Sequence, residues 1–459
     1  MRRRVVITGV GAVTGFGVGA KALWEGLSTQ KTAIGKPARV DLSGFPCQLA
    51  AEVKDFSAKD YVPKHYRKAV KVMARDVELA VAAAKDAVED AGLLTRANEG
   101  QAPTYPGERV GCQIGAGLIA AETHELTLAL ATAVDDDPAN KNRGGFSYKK
   151  FGTVAEAGGG GGMDNLQPLW MLKYLPNMLA CHVTIIHGCE GPSNTHTCSE
   201  ASGLLSIGEG TRVIERGAAD ATISGSAESK VNLLGVLRMT VAGRFGNVPA
   251  NTPPETAVRP YAGGAGSSGS SGGVPGEGAG LLILENLDTA KARGKAAYAE
   301  VAGFGAAHSF GKTTPGAAIV AKDAVNEGLA LAIRNAMRDA GVEASAIDVI
   351  VPQACGSACM DTPEAGALRQ VFGSRLDTIE LVTLSPALGD CCAGTGGVQV
   401  AVAAMMLKEQ ALPARLGAKV EGLQVGPADK RGKAMKHVLV CTSSLGGQNA
   451  ALVLRAIGP

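Results

Sequence analysis

Aromatic side chains are scarce: tryptophan, tyrosine and phenylalanine together make up 4% of the 459 residues. That composition argues against a stacking platform for bases or sugar rings. An excess of one charge is also missing. Forty-five basic residues against 43 acidic ones leave a formal charge of +2, so no long-range field recruits nucleic acid or a membrane surface, and any partner must be recognised locally. The longest apolar stretch near the middle of the chain, 166–186, is broken by Lys173, Pro176, Asn177 and His182, which argues against a bilayer span. Nor does Met1-Arg2-Arg3-Arg4 lead into the long apolar core of a signal peptide. A short strand follows at once, and the cytoplasm is the expected address. Ten cysteines are too sparse for a secreted disulfide scaffold and are expected as reduced thiols.

What the chain has instead is glycine, 62 residues of it, and a hydrophobic content of 46%. Both suit a compact α/β protein with tight turns and close backbone packing. Residues 4–13 form a largely apolar run ending in glycine turns, the pattern of a strand buried on both faces. Residues 69–91 carry Val72, Leu79, Ala80, Ala83 and Val88 at helical spacing between charges. Further strands are expected at 110–115, 221–225, 280–284, 298–303, 348–352 and 438–442. Alternation of strands with helices predicts parallel sheets covered on both faces. Two segments are loops by composition: 157–163, with five consecutive glycines, and 263–273, which reads GGAGSSGSSGG. The second marks a seam, and the expected division is 1–255 and 256–459. Strand, turn and helix recur in the two halves, which suggests an internal pseudo-repeat.

Several ordered stretches together resemble the β-ketoacyl-acyl-carrier-protein synthases: RRRVVITGVGAVTGFG at 2–17, GERVGCQIGAG at 107–117, PNMLACHVTIIHGCEGPSNTHTCSEASG at 176–203, SAESKVNLLGV at 226–236, GEGAGLLILENLDTAKARGKAAYAEVAGFG at 276–305 and SSLGGQNAALVL at 443–454. The resemblance covers essentially the whole chain. It implies an α/β thiolase fold, five layers αβαβα from two pseudo-repeated halves. It also implies a dimer, and thioester substrates delivered on the phosphopantetheine arm of an acyl carrier protein, with no bound cofactor. In that family a cysteine at a helix N-terminus is the nucleophile, and two histidines and a lysine support decarboxylation of the malonyl unit.

Aligned on these motifs, the catalytic positions carry other residues. The segment from Gly191-Pro192-Ser193 to Ser202-Gly203 matches without a gap, and the family cysteine falls on Glu200. Cys198 lies two residues earlier, about 200° around a helix and about 3 Å along it, and would face elsewhere in the pocket wall. Counting back from Asp361 and Glu364 places Gln353 at the first histidine; a two-residue deletion would place Cys355 there instead. Asp390 takes the second histidine's position and, by spacing, Ser385 the lysine's. Gly446, Gly447 and Asn449 keep the family's glycine pair and asparagine, while Leu445 replaces the gating phenylalanine. A carboxylate is a poor nucleophile toward a thioester, glutamine takes up no proton, and aspartate presents acceptors where a carbonyl oxygen must be stabilised.

Three readings stay open at this point. The first is a non-condensing partner, similar to the chain-length factors that pair with an active ketosynthase; a homodimer is the alternative assembly. The second is a different enzyme on thioesters, an acyltransferase, decarboxylase or hydrolase, with Glu200 and Asp390 as a close carboxylate pair dividing acid and base roles. Against it stands the plainer possibility that Glu200 fills its site and accepts hydrogen bonds from a helix N-terminus. The third is a soft-metal or disulfide site from Cys355, Cys359, Cys391 and Cys392 with Cys198 and His196 near. That spacing is not a familiar zinc pattern, and no metal is expected. His182 and His187 flank a strand-like stretch and are expected as core or interface residues. Gly9-x-Gly11 lacks the third glycine and downstream acid of a dinucleotide fingerprint.

Overall fold

A computed structural model describes residues 2–136, 138–139, 141, 144–152, 161–262, 272–309, 321 and 323–458. Of the two glycine-rich loops, 157–160 and 263–271 lie outside the described residues.

Among the described residues the main sheet runs through β1 Val5–Thr14, β2 Val110–Ala116, β3 Ser193–His196, β4 Ala221–Ser229, β5 Glu277–Asn286, β6 Ala299–His308, β7 Val349–Val351, β8 Glu380–Leu381, β9 His437–Ser443 and β10 Gln448–Arg455, with the short strand Gly17–Val18 paired onto β1 as an eleventh. Their spatial order is β8-β7-β9-β10-β6-β1-β5-β4-β2-β3. Split between β6 and β1, the two halves have one topology. In each, the third strand pairs with the second, the second with the fourth, the fourth with the fifth and the fifth with the first. The first two of these pairings are parallel and the last two antiparallel in both halves. Among the described residues, Val6 with Glu300 and Ile7 with Ala299 join the halves across the sheet.

The sheets are thus mixed, not purely parallel as the alternation suggested. The turn at 444–447 between β9 and β10 is too short for a crossover and obliges the strands to run antiparallel. The seam also moves. A division at 255/256 would leave β5 with the second half, whereas the strand order makes it the closing strand of the first, which ends at Asn286.

Among the helices of the described residues, those that form the layers are α1 Arg75–Ala91, α2 Met178–His187, α3 Ser202–Glu215, α4 Glu327–Ala340, α5 Ala358–Phe372 and α6 Ala393–Glu409. Helices α1 and α2 cover the outer face of the first half, α4 and α5 that of the second, and α3 and α6 touch both halves from the middle. The apolar core divides accordingly into a central cluster and two outer ones. Helix α1 begins at Arg75 and not at 69, because 64–72 forms a 3₁₀ turn with no buried side chain. It closes on Gly92 at φ 67°, a left-handed C-cap. The stretch between His182 and His187 is helical, with Leu179, Val183 and Ile186 facing the core. Its brevity and apolarity concealed a helical face.

Gly9 and Gly11 have a packing role. A Cβ on either would lie 2.2 Å from the Ala87 carbonyl oxygen or 2.0 Å from that of Ala83, so α1 can rest directly on β1. The second half repeats the device: at Gly303 and Gly305 a Cβ would meet the carbonyl oxygens of Ala336 and Ala332 in α4 at 2.2 and 2.1 Å.

Candidate functional site

Three turns converge where the central helices meet the ends of the strands. The first precedes α3 and carries Cys198, Ser199 and Glu200; the second follows β7 and carries Gln353 to Cys355; the third precedes α6 and carries Asp390 to Cys392. Each contains a non-glycine residue in the left-handed region, Ser199 at φ 51°, Ala354 at φ 45° and Cys392 at φ 48°. Strain of roughly 1–3 kcal/mol per such residue persists only where the surroundings enforce it. For the second turn the enforcement is visible. The Glu364 carboxylate accepts from the backbone N–H groups of Gln353 and Ala354, both at 2.9 Å, and Asp361 accepts from Gly356 at 3.0 Å. Burial raises both acids, Asp361 to about 6 and Glu364 to about 7.

Sequence reasoning missed the residue that organises the site. Arg244, in the glycine-flanked segment after the helix Leu233–Val241, is fully buried. Its Nη1 donates to Glu200 Oε1 at 2.6 Å and its Nη2 to Asp390 Oδ2 at 2.5 Å. Burial opposes its charge, but the field of Glu200 and Asp390 more than compensates and holds its pKa well above the ordinary guanidinium value. Two expectations are corrected by this arrangement. Glu200 is held by a guanidinium and not by the N–H groups of its helix, and its Oε2 has no partner among the described residues. Glu200 and Asp390 are not a bare carboxylate pair, since one cation bridges both. The signal available in the sequence was the pair of acids itself: two buried carboxylates demand a counter-charge.

Gln353, Cys355, Ser385 and Asp390 share one small cavity with Cys391, Thr395 and Gln399, of about 10 Å³. Gln353 Oε1 accepts from the Ser443 N–H at 2.8 Å, and the Ser385 hydroxyl donates to the Ala354 carbonyl. Asp390 Oδ1 accepts from the Cys392 N–H at 2.9 Å. Cys198 does not line this cavity; it is half-buried, and burial raises its thiol pKa, the opposite of what a thiolate nucleophile needs. Leu445, Gly446, Gly447 and Asn449 also lie outside its lining. Asn449 ties backbone together, donating to the Gly447 carbonyl at 2.8 Å and accepting from Asn326 Nδ2 at 2.7 Å.

All ten cysteines are free thiols, and Cys355, Cys391 and Cys392 are pushed up by burial. Among the described residues no group of three or more His, Cys, Asp or Glu side chains is arranged to hold a metal ion. His182 Nδ1 meets the Tyr66 hydroxyl at 2.8 Å and His187 Nδ1 that of Thr95 at 3.0 Å, both as interior residues. Among the described residues no helix is long and apolar enough to cross a membrane.

The chain belongs to the β-ketoacyl synthase family. The profile of the beta-ketoacyl synthase N-terminal domain matches residues 2–290, and that of the C-terminal domain matches 298–419. Relatives include 3-oxoacyl-[acyl-carrier-protein] synthase 2 of Staphylococcus aureus (strain COL), 28% identical over 99% of this chain and 98% of its own length. The protein of that name from Coxiella burnetii is 28% identical over 99% of both chains. Among solved structures, the ishigamide ketosynthase/chain length factor is 26% identical with a TM-score of 0.78, covering 100% of both chains. A β-ketoacyl synthase from Burkholderia phymatum shares the fold at a TM-score of 0.79 and 23% identity. The architecture is therefore the five-layered thiolase fold.

Proposed function

We propose that this chain is a non-condensing member of a fatty-acid or polyketide ketosynthase system, acting in the cytoplasm as the partner of a cysteine-bearing ketosynthase, much as a chain length factor does. The observation that carries the reading is Arg244, fully buried and bonded to both Glu200 and Asp390. If Glu200, Gln353 and Asp390 stand where the family has cysteine and two histidines, the guanidinium locks two of the three positions into a salt-bridged core. No nucleophile is left there, and about 10 Å³ of space holds no acyl thioester. The same lock counts against acid-base catalysis by the two carboxylates, because both are committed to one cation.

The surface supports a partner. Strand β3 is the open edge of the sheet, and its Ser193 and Asn194 are exposed. Leu118, Leu128, Leu169, Met171, Ile185 and Val241 are large apolar residues left in contact with solvent, Val241 at 76% exposure. Such residues on one half of a chain are a reason to look for a covering subunit. The likeness to a ketosynthase/chain length factor agrees with this reading, and the acyl carrier protein of the system would present its phosphopantetheine-borne thioesters to the active subunit.

Co-expression with ketosynthases encoded beside this gene tests the proposal. A stable complex is expected in which only the partner acquires acyl mass when incubated with acyl and malonyl thioesters. A homodimer that ignores every such synthase, or acylation of this chain, would overturn it.

A further inference from the structure

The small cavity between the turn after β7 and the turn before α6 has an unusual lining. Gln353, Thr395 and Gln399 all line it, and Gln353 Nε2, Thr395 Oγ1 and Gln399 Oε1 are buried atoms with no hydrogen-bond partner among the described residues. The amide orientations are fixed by the other end of each side chain. Gln353 Oε1 must face the Ser443 N–H, and Gln399 Nε2 must face the Pro352 carbonyl oxygen at 2.6 Å. Flipping either amide would set donor against donor or acceptor against acceptor. The cavity therefore presents an amide N–H donor from Gln353, a carbonyl acceptor from Gln399 and a hydroxyl from Thr395 that serves either way.

We infer that this cavity is a built site for one ordered water molecule, bridging Gln353, Thr395 and Gln399. Size and chemistry both select that ligand. A volume of about 10 Å³ matches the roughly 10–15 Å³ that a single water requires, and three polar partners lie within its usual two to four. A metal ion would face the N–H of Gln353, and an anion would face Asp390 and the Gln399 carbonyl. A neutral molecule that both donates and accepts satisfies all three orphaned groups. The balance of energies agrees, since three buried polar groups left unpaired cost more than immobilising one bridging water. The inference goes beyond the functional reading and does not depend on it. It assigns to the space between Gln353 and Asp390 a fixed solvent molecule that helps hold the turn after β7 against helix α6.

Two measurements decide it. A high-resolution crystal structure of the full chain is expected to show one spherical density peak within hydrogen-bond distance of Gln353 Nε2, Thr395 Oγ1 and Gln399 Oε1. An empty cavity, direct pairing of the two amides, or density larger than water would overturn the inference. In solution, oxygen-17 magnetic relaxation dispersion of water should lose the amplitude of one long-lived molecule per chain in the Thr395→Val, Gln399→Met double variant. Unchanged amplitude in a folded variant would refute the site. Condensing activity in the wild type would defeat the functional proposal whatever the density shows, whereas a collapsed cavity in an inactive protein would defeat this inference alone.

Discussion

Replacing Arg244 by methionine removes the cation that, among the described residues, bonds both Glu200 and Asp390, while keeping most of the side-chain volume. Each carboxyl must then stay charged in a site closed to water or take up a proton. Breaking a buried ion pair from one side typically costs about 3–5 kcal/mol. Protonating a carboxyl of ordinary acidity at pH 7 costs roughly 4 kcal/mol, from about 1.4 kcal/mol for each of three pH units. With two acids stranded, the expected loss is about 3–8 kcal/mol at pH 7, comparable to the whole stability of many domains. The native state of the variant binds up to two protons more than its unfolded state near neutrality, so its unfolding free energy falls as pH rises and recovers as pH falls. Between pH 7 and pH 5 the deficit against wild type should shrink by up to about 5 kcal/mol. Guanidinium unfolding followed by far-ultraviolet circular dichroism at both pH values measures this. The triple variant Arg244→Met, Glu200→Gln, Asp390→Asn should regain more than half of the loss at pH 7 and lose the pH dependence. A single variant that costs less than about 1 kcal/mol, or a deficit that grows toward pH 5, would refute the buried triad.

Glu200→Cys alone should yield no acyl-enzyme and no condensation by mass spectrometry, because the Arg244–Asp390 pair still occupies the site; turnover in that single variant would count against the lock. Gly397→Ala places a Cβ 2.2 Å from the Gly280 carbonyl oxygen and 2.9 Å from the Ser226 nitrogen, backbone on both sides, and should lower stability by at least about 1–3 kcal/mol in a thermal melt. Burial, with a smaller contribution from Lys85, pushes His187 down to about 4. Its folded pKa lies below the unfolded value near 6.5, so the stability it lends is present above that value and is lost as pH falls toward 4, by at most about 3 kcal/mol. His187→Gln should flatten that limb of the urea midpoint against pH relative to wild type. Val241→Glu together with Leu169→Glu, at positions 76% and 63% exposed, should abolish association in size-exclusion chromatography with light scattering while leaving the melting temperature of the separate chain within about 2 °C.

The fold was legible because its strands are written as buried apolar runs and its close contacts as glycines. Gly9-Val10-Gly11 and Gly303-Phe304-Gly305 occupy the same place in the two repeats, each opposite two alanine carbonyls spaced by four residues. A comparison of those two tripeptides locates the repeat in the sequence itself. Composition placed the seam near the glycine-serine run instead, because flexibility marks a loop and not the end of a repeat. The His182 to His187 stretch was misread since a short apolar segment has no polar face to betray its period.

The site was only half legible, for a physical reason. Sequence motifs locate the turns, because backbone geometry constrains them: Ser199, Ala354 and Cys392 hold left-handed conformations beside Glu200, Gln353 and Asp390. What fills the turns is not constrained in the same way, and the compensating cation comes from a different segment, 44 residues along the chain from Glu200 and 146 from Asp390. The logic that would have found it is electrostatic. Two carboxylates brought within reach of one guanidinium in a water-free core are tolerable only with that guanidinium present, so the acids at 200 and 390 and the arginine at 244 form one unit of replacement. On the proposed reading, in which Glu200 and Asp390 stand at the family's catalytic positions, the change is a single exchange of a reactive core for a salt-bridged one. The turn after β7 keeps its strained form because the Glu364 and Asp361 carboxylates still hold its N–H groups.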